Sequence, residues 1–293
     1  MKKYCITLII TILTILSNIA PCHAIKIGLD ENIKQTYVGT SKAGQILDGR
    51  SKKPLYFTKA LVPYTIKAHN DVIVIKINGK YYSLGTNFVI IQNKDQQKGF
   101  LATKKRWYRG DIIIYNYNKK LIVVNNVPLE EYLMGVVPSE MPPAWNIEAH
   151  KAQAIAARSY AIANLGKRKT MGYDLKDTPQ DQTYGGASSE TKQTTRAVLE
   201  TRGIVLTHDR KIIPAYYHAS SGGKTVGSGA VWAKDLPYIK SVPGYDDGIR
   251  KNGHGVGMSQ HGANNLANKG YNAYQILNYF YKNVKFSVTK NEY

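Results

Sequence analysis

Between residues 25 and 126 the apolar positions fall in short β-branched runs, with glycine, asparagine and lysine between them. Residues 71–77 (DVIVIKI) meet Asn78-Gly79 and continue as Tyr81-Tyr82-Ser83-Leu84, the pattern of a hairpin closed by a tight turn. Residues 88–92, 111–115 and 121–124 repeat the β-branched character, and no helical period interrupts them. An antiparallel sheet or a small barrel is the expected outcome.

The pattern changes after residue 140. Pro142-Pro143 can open a helix, Asn146 can cap it and Glu148 stands in its first turn. Ala-rich residues 147–165 carry this helix to a stop at Gly166. Lys151, Ile155, Arg158 and Ile162 recur at helical spacing, so two cations share a face with two isoleucines. Residues 166–188 predict a long polar loop, 189–201 a second helix stopped by Gly203, and 204–218 a hairpin turning at Asp209-Arg210. Residues 241–262 are dense in glycine and read as loop, the last part opening a helix; residues 274–281 form a short closing helix. The expected fold class is α+β: a β-rich N-terminal region, then a mixed α/β domain with a buried Ala-rich helix.

One apolar stretch stands outside this scheme. Lys2-Lys3, apolar residues 4–16 and a small, polar run ending at Ala24 have the form of a secretory signal peptide cleaved after Ala24. An uncleaved anchor is the rival, but the stretch is short for a span and Thr7, Thr11 and Thr14 interrupt it. The two cysteines, Cys5 and Cys22, both lie in this leader. A lipid-modified Cys22 fits poorly, because Pro21 stands where a small residue is expected. The mature chain therefore has no disulfide, no thiolate zinc site and no thiol nucleophile.

Composition narrows the class further. The chain has 293 residues, 43 % of them apolar, enough for one large domain or two modest ones. Without a Gly-X-Y repeat, sustained heptads or a second long apolar run, it is neither collagen, coiled coil nor polytopic membrane protein. Forty Lys and Arg face twenty Asp and Glu, a net charge of +20. Residues 25–106 carry +10 of this and residues 107–293 carry +8. Inside a cell such a balance points to nucleic acid. For an exported chain nucleic acid drops out, and the polyanions on offer are envelope carboxylates, teichoic acids or lipid head groups. Plain solubility is the competing reading.

Three segments could carry chemistry. In Val136-Val137-Pro138-Ser139-Glu140-Met141-Pro142-Pro143 a single carboxylate stands between prolines and apolar neighbours. Desolvation would raise its pKa toward that of a general acid, whereas a glutamate at a helix start would merely be satisfied by the helix dipole. The segment from Gly253 to Gly262 holds three alternate glycines that let backbone approach a ligand, or form an ordinary turn. It matches neither a dinucleotide fingerprint nor a P-loop. His218-Ala219-Ser220-Ser221-Gly222-Gly223 shows no triad spacing, and His218, His254 and His261 show no metal-ligand spacing, so neither metal nor other cofactor is expected.

Taken in order, further segments add specificity: Tyr108-Arg109-Gly110, Asn125 to Leu133, Gly135 to Met141, Lys151 to Tyr160, Asp181-Gln182-Thr183-Tyr184-Gly185-Gly186, Tyr217 to Gly223, Pro237-Tyr238 and Gly253 to Gly262. In that order they resemble the SpoIID/LytB family, the stage II sporulation protein D and amidase-enhancer domain, over residues of roughly 107–285. The resemblance implies a lytic transglycosylase that cleaves peptidoglycan glycan strands, preferring strands stripped of stem peptides. It places the catalytic glutamate at Glu140 and basic groove residues at Lys151 and Arg158. The cysteines that bind zinc in some members are missing, and the usual Tyr-Tyr-Pro-Gly ending is replaced by Phe280-Tyr281-Lys282-Asn283. Composition and resemblance together add Gln182, Tyr184, Ser220, Ser221, His254, Ser259 and Gln260 as substrate-binding residues of one cleft around Glu140. The expected division is a leader (1–24), a β-rich region of unknown role (25–106), a catalytic domain (107–285) and a tail (286–293). A non-enzymatic wall-binding module that stimulates a wall amidase is the alternative function.

Overall fold

The computed structural model describes residues 24–94 and 99–289. Apart from Ala24, the leader lies outside these residues, as do both cysteines. The fold is α+β.

Twelve strands come first: β1 (Ala24–Ile33), β2 (Gln35–Thr40), β3 (Gly44–Asp48), β4 (Pro54–Thr58), β5 (Tyr64–His69), β6 (Val72–Ile77), β7 (Lys80–Ser83), β8 (Phe88–Asn93), β9 (Leu101–Thr103), β10 (Arg106–Tyr108), β11 (Asp111–Tyr117) and β12 (Lys120–Pro128). They form two sheets rather than one sheet or a closed barrel. The first has the order β13-β1-β12-β11-β8-β3-β4, with β13 (Leu175–Lys176) added later in the chain; the second has the order β10-β9-β2-β5-β6-β7. The β6–β7 hairpin turns at Asn78 and Gly79, both with positive φ, as an Asn-Gly two-residue turn requires.

The β-branched runs are explained by burial on two sides. On β11, Ile112 and Ile114 enter a core shared with Ile66 and Ile75 of the second sheet. Ile113, between them, packs on the opposite face with Leu47, Ile90, Val124 and Tyr173. A strand covered on both faces needs no polar alternation. The division at residues 106/107 does not interrupt the hydrogen bonding. Strand β1 pairs with β12 (Ile25 opposite Val127), and β8 pairs with β11 (Ile91 opposite Ile112).

Helix α1 (Leu129–Glu140) follows β12 without a loop. Sequence pattern does not announce it, because Pro138 sits inside and Gly135 is central. In the last turn proline removes only one ladder bond, and Gly135 is needed for contact, since a Cβ there would lie 2.6 Å from the Tyr184 ring. Helix α2 (Ile147–Ala163) is the expected Ala-rich helix, capped by the Asn146 side chain on the Glu148 N–H. From Ala149 to Ala161 every residue but Lys151 is buried. Alanines on one side of α2 join the strand core, and those on the other join a second core with Met258, Leu277 and Phe280.

The remaining elements are α3 (Lys192–Glu200), β14 (Ile204–His208), β15 (Lys211–Ile212), β16 (Tyr217–His218), β17 (Met258–Ser259), α4 (Gln260–Asn268), α5 (Ala273–Phe280) and β18 (Lys285–Val288). The hairpin at Asp209-Arg210 is present but short, and β16 leaves it to pair in parallel with β17. Residues 286–288, expected in a tail, are strand: β18 pairs with β14, setting Phe286 opposite Leu206. Among the described residues no helix is long and apolar enough to cross a membrane.

Candidate active site

A cleft of about 640 Å³ opens where the end of α1, the 177–186 segment, β16 and the start of α4 meet. Glu140 lines it. The residue is the last of α1, not a helix start, so the macrodipole opposes its charge instead of satisfying it. Among the described residues the donors that reach the carboxylate are neutral, among them the Thr183 N–H at 2.6 Å and the Gln260 Nε2 amide at 3.2 Å. Burial raises the carboxyl above the ordinary glutamate range, and hydrogen bonds from Thr183, Gln260 and Tyr217 offset this only in part. A carboxyl so placed stays protonated to higher pH and can donate a proton.

The second carboxylate of the cleft, Asp181, is in the opposite condition. Lys167 and Arg168 bind it at 2.6 and 2.8 Å, and the Lys176 N–H at 2.9 Å. Burial pushes its pKa up, but these partners outweigh burial and hold it below the usual range. One wall is aromatic: Trp232 packs on Tyr216 with centroids 4.4 Å apart and on His254 at 5.3 Å, and Tyr216 meets Tyr160 edge-on at 5.6 Å. Such rings offer flat apolar faces of the kind sugars stack on.

Of the expected site residues, Glu140, His254 and Gln260 line this cleft. The others are placed elsewhere, for identifiable reasons. Arg158 is fully buried and forms a two-pronged ion pair with Glu130 at 2.8 and 2.7 Å. Its remaining guanidinium nitrogen, Nη1, donates to the Ile204 carbonyl, so it is a core cation and not a groove residue. Lys151 pairs with Glu148 and Glu200, each at 2.8 Å, and is not part of the cleft rim or wall. The cation in the cleft is instead Lys167, just beyond α2.

The 177–186 segment reaches the cleft with side chains other than those expected. Asp181 and Thr183 line it, while Gln182 and Tyr184 are buried behind it. Gln182 Nε2 donates to the Ala157 carbonyl and the Tyr217 hydroxyl, and its Oε1 accepts from Tyr132. Tyr184 donates to Asn125 Oδ1 and packs on Tyr132. In extended chain neighbouring side chains point opposite ways, so choosing 182 and 184 selected the wrong face.

Ser220, Ser221 and Ser259 are also withdrawn from the cleft. Asp246, itself buried, accepts from the Ser221 N–H and hydroxyl, from the Gly223 N–H and from the Ser259 hydroxyl. Ser259 Oγ at the same time caps α4 through the Gly262 N–H, which fixes the helix start that presents Gln260. Ser220 exchanges backbone bonds with Asn252, a cleft residue. The alternate glycines 253, 255 and 257 all have positive φ. They serve close packing within the chain: a Cβ on Gly257 would lie 2.0 Å from the Tyr216 carbonyl oxygen.

The two cleft histidines are held neutral. Burial pushes His218 down to about 4, and burial with nearby Lys251 lowers His254. His218 Nδ1 donates to the Val256 carbonyl, leaving Nε2 without a partner among the described residues. His261 packs on Trp145. Among the described residues, no three His, Asp or Glu side chains are grouped as a metal site. Tyr216, Tyr217, Trp232 and Lys167, with Tyr160, Asp181 and Thr183, are among the cleft residues that sequence reasoning missed. Tyr217 stood inside a noticed segment, but the single tryptophan in a glycine-rich loop carried no local signal.

Residues 117–208 match the model of the family described as stage II sporulation protein. Over this segment the chain is similar to the SpoIID/LytB family. It is 40 % identical over 134 residues to the stage II sporulation protein D of Bacillus amyloliquefaciens, covering 41 % of this chain and 39 % of that one. It is 43 % identical over 107 residues to the amidase enhancer of Bacillus subtilis, covering 36 % of this chain but 14 % of that protein. An uncharacterised protein of Brachyspira hyodysenteriae is 35 % identical over 149 residues, covering 50 % of this chain and 40 % of the relative. The chain thus spans two-fifths or less of these relatives. The matched segment contains Glu140, Tyr160, Lys167, Asp181 and Thr183; the rest of the aromatic wall and Gln260 lie beyond it.

Proposed function

We propose that this protein is an exported lytic transglycosylase acting on peptidoglycan glycan strands. The observation that carries the reading is Glu140: a carboxyl with a raised pKa, met by neutral donors only among the described residues, lining an aromatic-walled cleft. The sporulation and amidase-enhancer names of the relatives support a role at the cell wall, and the leader supports export.

Glycosidases that use water commonly need two free carboxyl groups. Here Asp181 is consumed by two cations, which favours a reaction that needs one. The Glu140 acid protonates the glycosidic oxygen as the bond to the muramoyl C1 breaks. The muramoyl C6 hydroxyl then attacks C1, and its proton returns to the Glu140 carboxylate. The products are a free sugar hydroxyl and a 1,6-anhydromuramoyl end, with no water consumed. Lys167 and the cleft rings would hold the strand.

Peptide-stripped glycan strands incubated with the protein should yield fragments whose masses lack one water relative to hydrolysis products. Intact strands, or hydrated ends, would sink the reading. The amidase-enhancer relative favours a second reading, a wall-binding module that stimulates an amidase. It predicts faster amidase turnover in the protein's presence with no anhydro ends.

A further inference from the structure

The outward face of the second sheet is a candidate for a separate role. Its other face is core: Val38, Ile66, Ile73 and Ile75 are all buried. The outward side carries one register row across four strands: Tyr37 on β2, Thr65 on β5, Lys76 on β6 and Tyr81 on β7. Residues paired across a sheet point to the same face, and the strands are about 4.8 Å apart, so the row spans about 14 Å.

The adjoining row contributes Lys67. Lys67 and Lys76 both lie over the Tyr81 ring, at 5.7 and 5.8 Å from its centroid. Neither lysine has a carboxylate partner among the described residues. Tyr37 is 58 % exposed and Tyr81 47 %, large values for aromatic rings. Toward the other end the face continues to Trp107 on β10, whose N–H is bound by Ser188 Oγ. Arg106, beside it, donates to the Tyr184 carbonyl, so this sheet edge is fastened to the segment that also lines the cleft.

We propose that this face is a second holding surface for the glycan strand, distinct from the cleft. The occupant is a carboxylate-bearing polysaccharide. Strands stripped of stem peptides bear one lactyl carboxylate per disaccharide, which suits unpaired lysines set between rings that can stack on sugar faces. The +10 charge of residues 25–106 supplies the complementary field. The inference rests on the glycan-strand reading above.

The test uses the full chain carrying Glu140→Gln, so that strands stay intact, and measures co-sedimentation with peptide-stripped glycan. Tyr81→Ala and the double change Lys67→Ala/Lys76→Ala should each weaken binding about five- to tenfold, from losses of stacking and charge. Tyr81→Phe should retain it. With Glu140 restored, cleavage of a short soluble glycan fragment should be unchanged in all three. Full binding by both weakened variants overturns the proposal. So does a silent Tyr81→Ala combined with equal competition by polyphosphate, which marks a general cation patch. Binding that behaves as expected, with no anhydro products from the restored protein, would instead remove the transglycosylase reading and leave this surface standing.

Discussion

The two ends of α1 hold the same residue type under opposite conditions. Glu130, in the first turn, is sealed against a buried arginine and also accepts from the Gly203 N–H. Glu140, in the last turn, opens onto a cleft and receives no cation from the described residues. At the first end both the macrodipole and Arg158 neutralise the charge; at the second the dipole and burial resist it. A paired carboxylate is structure. An unpaired one that holds its proton is a reagent, and the helix between them keeps the two apart.

Replacing Glu140 by Gln should give the largest effect, a loss of about 10²–10⁴-fold in glycan cleavage, because the amide keeps the shape but cannot donate the proton. The same variant should melt at higher temperature than the wild type at neutral pH. The sign follows from the raised pKa: between the unfolded and folded values the native state binds more protons, so stability falls as pH rises through the folded value. A Gln variant that cleaves normally would erase the contrast between the two ends.

The other end breaks differently. Arg158→Ala leaves Glu130 buried without its partner and should cost about 3–5 kcal/mol in a denaturant titration. A loss of activity in a variant with wild-type stability would return Arg158 to the groove. A smaller effect concerns pH. Cleavage should fall as pH rises through the raised Glu140 pKa, and Gln260→Ala, which removes a bond favouring the charged form, should move that alkaline limb upward. An unmoved limb would show that Gln260 does not tune the carboxyl. The smallest effect belongs to Lys151→Ala, under about 1 kcal/mol in stability, because its ion pairs are at the surface. A change in its cleavage kinetics would contradict its place outside the cleft.

The legible parts of the sequence were those with local causes. The Asn-Gly hairpin, the Asn146 cap and the isolation of Glu140 among apolar residues are each decided within a few positions. What failed depended on partners far along the chain. Nothing near Arg158 says that Glu130 waits 28 residues earlier, and helical spacing alone made it a face-mate of Lys151. The placement of Gln182 and Tyr184 was set by Tyr132 and Asn125, and Ser221 and Ser259 were claimed by Asp246, none of them sequence neighbours. The aromatic wall assembles from residues 160, 216, 232 and 254, a cluster with no linear signature.

The pairing of β1 with β12 has a consequence for the order of events during folding. Residues 24–33 find their partner only once residues 120–128 exist, and α1 begins on the next residue. Closing a segment of that length costs entropy before any contact rewards it, so this topology belongs to the slow-folding, high-contact-order kind. The frame that leads into Glu140 is therefore acquired late, after the β1–β12 pairing. A chain caught before that step would carry every residue of the cleft and no formed cleft, a built-in delay between synthesis and a completed site.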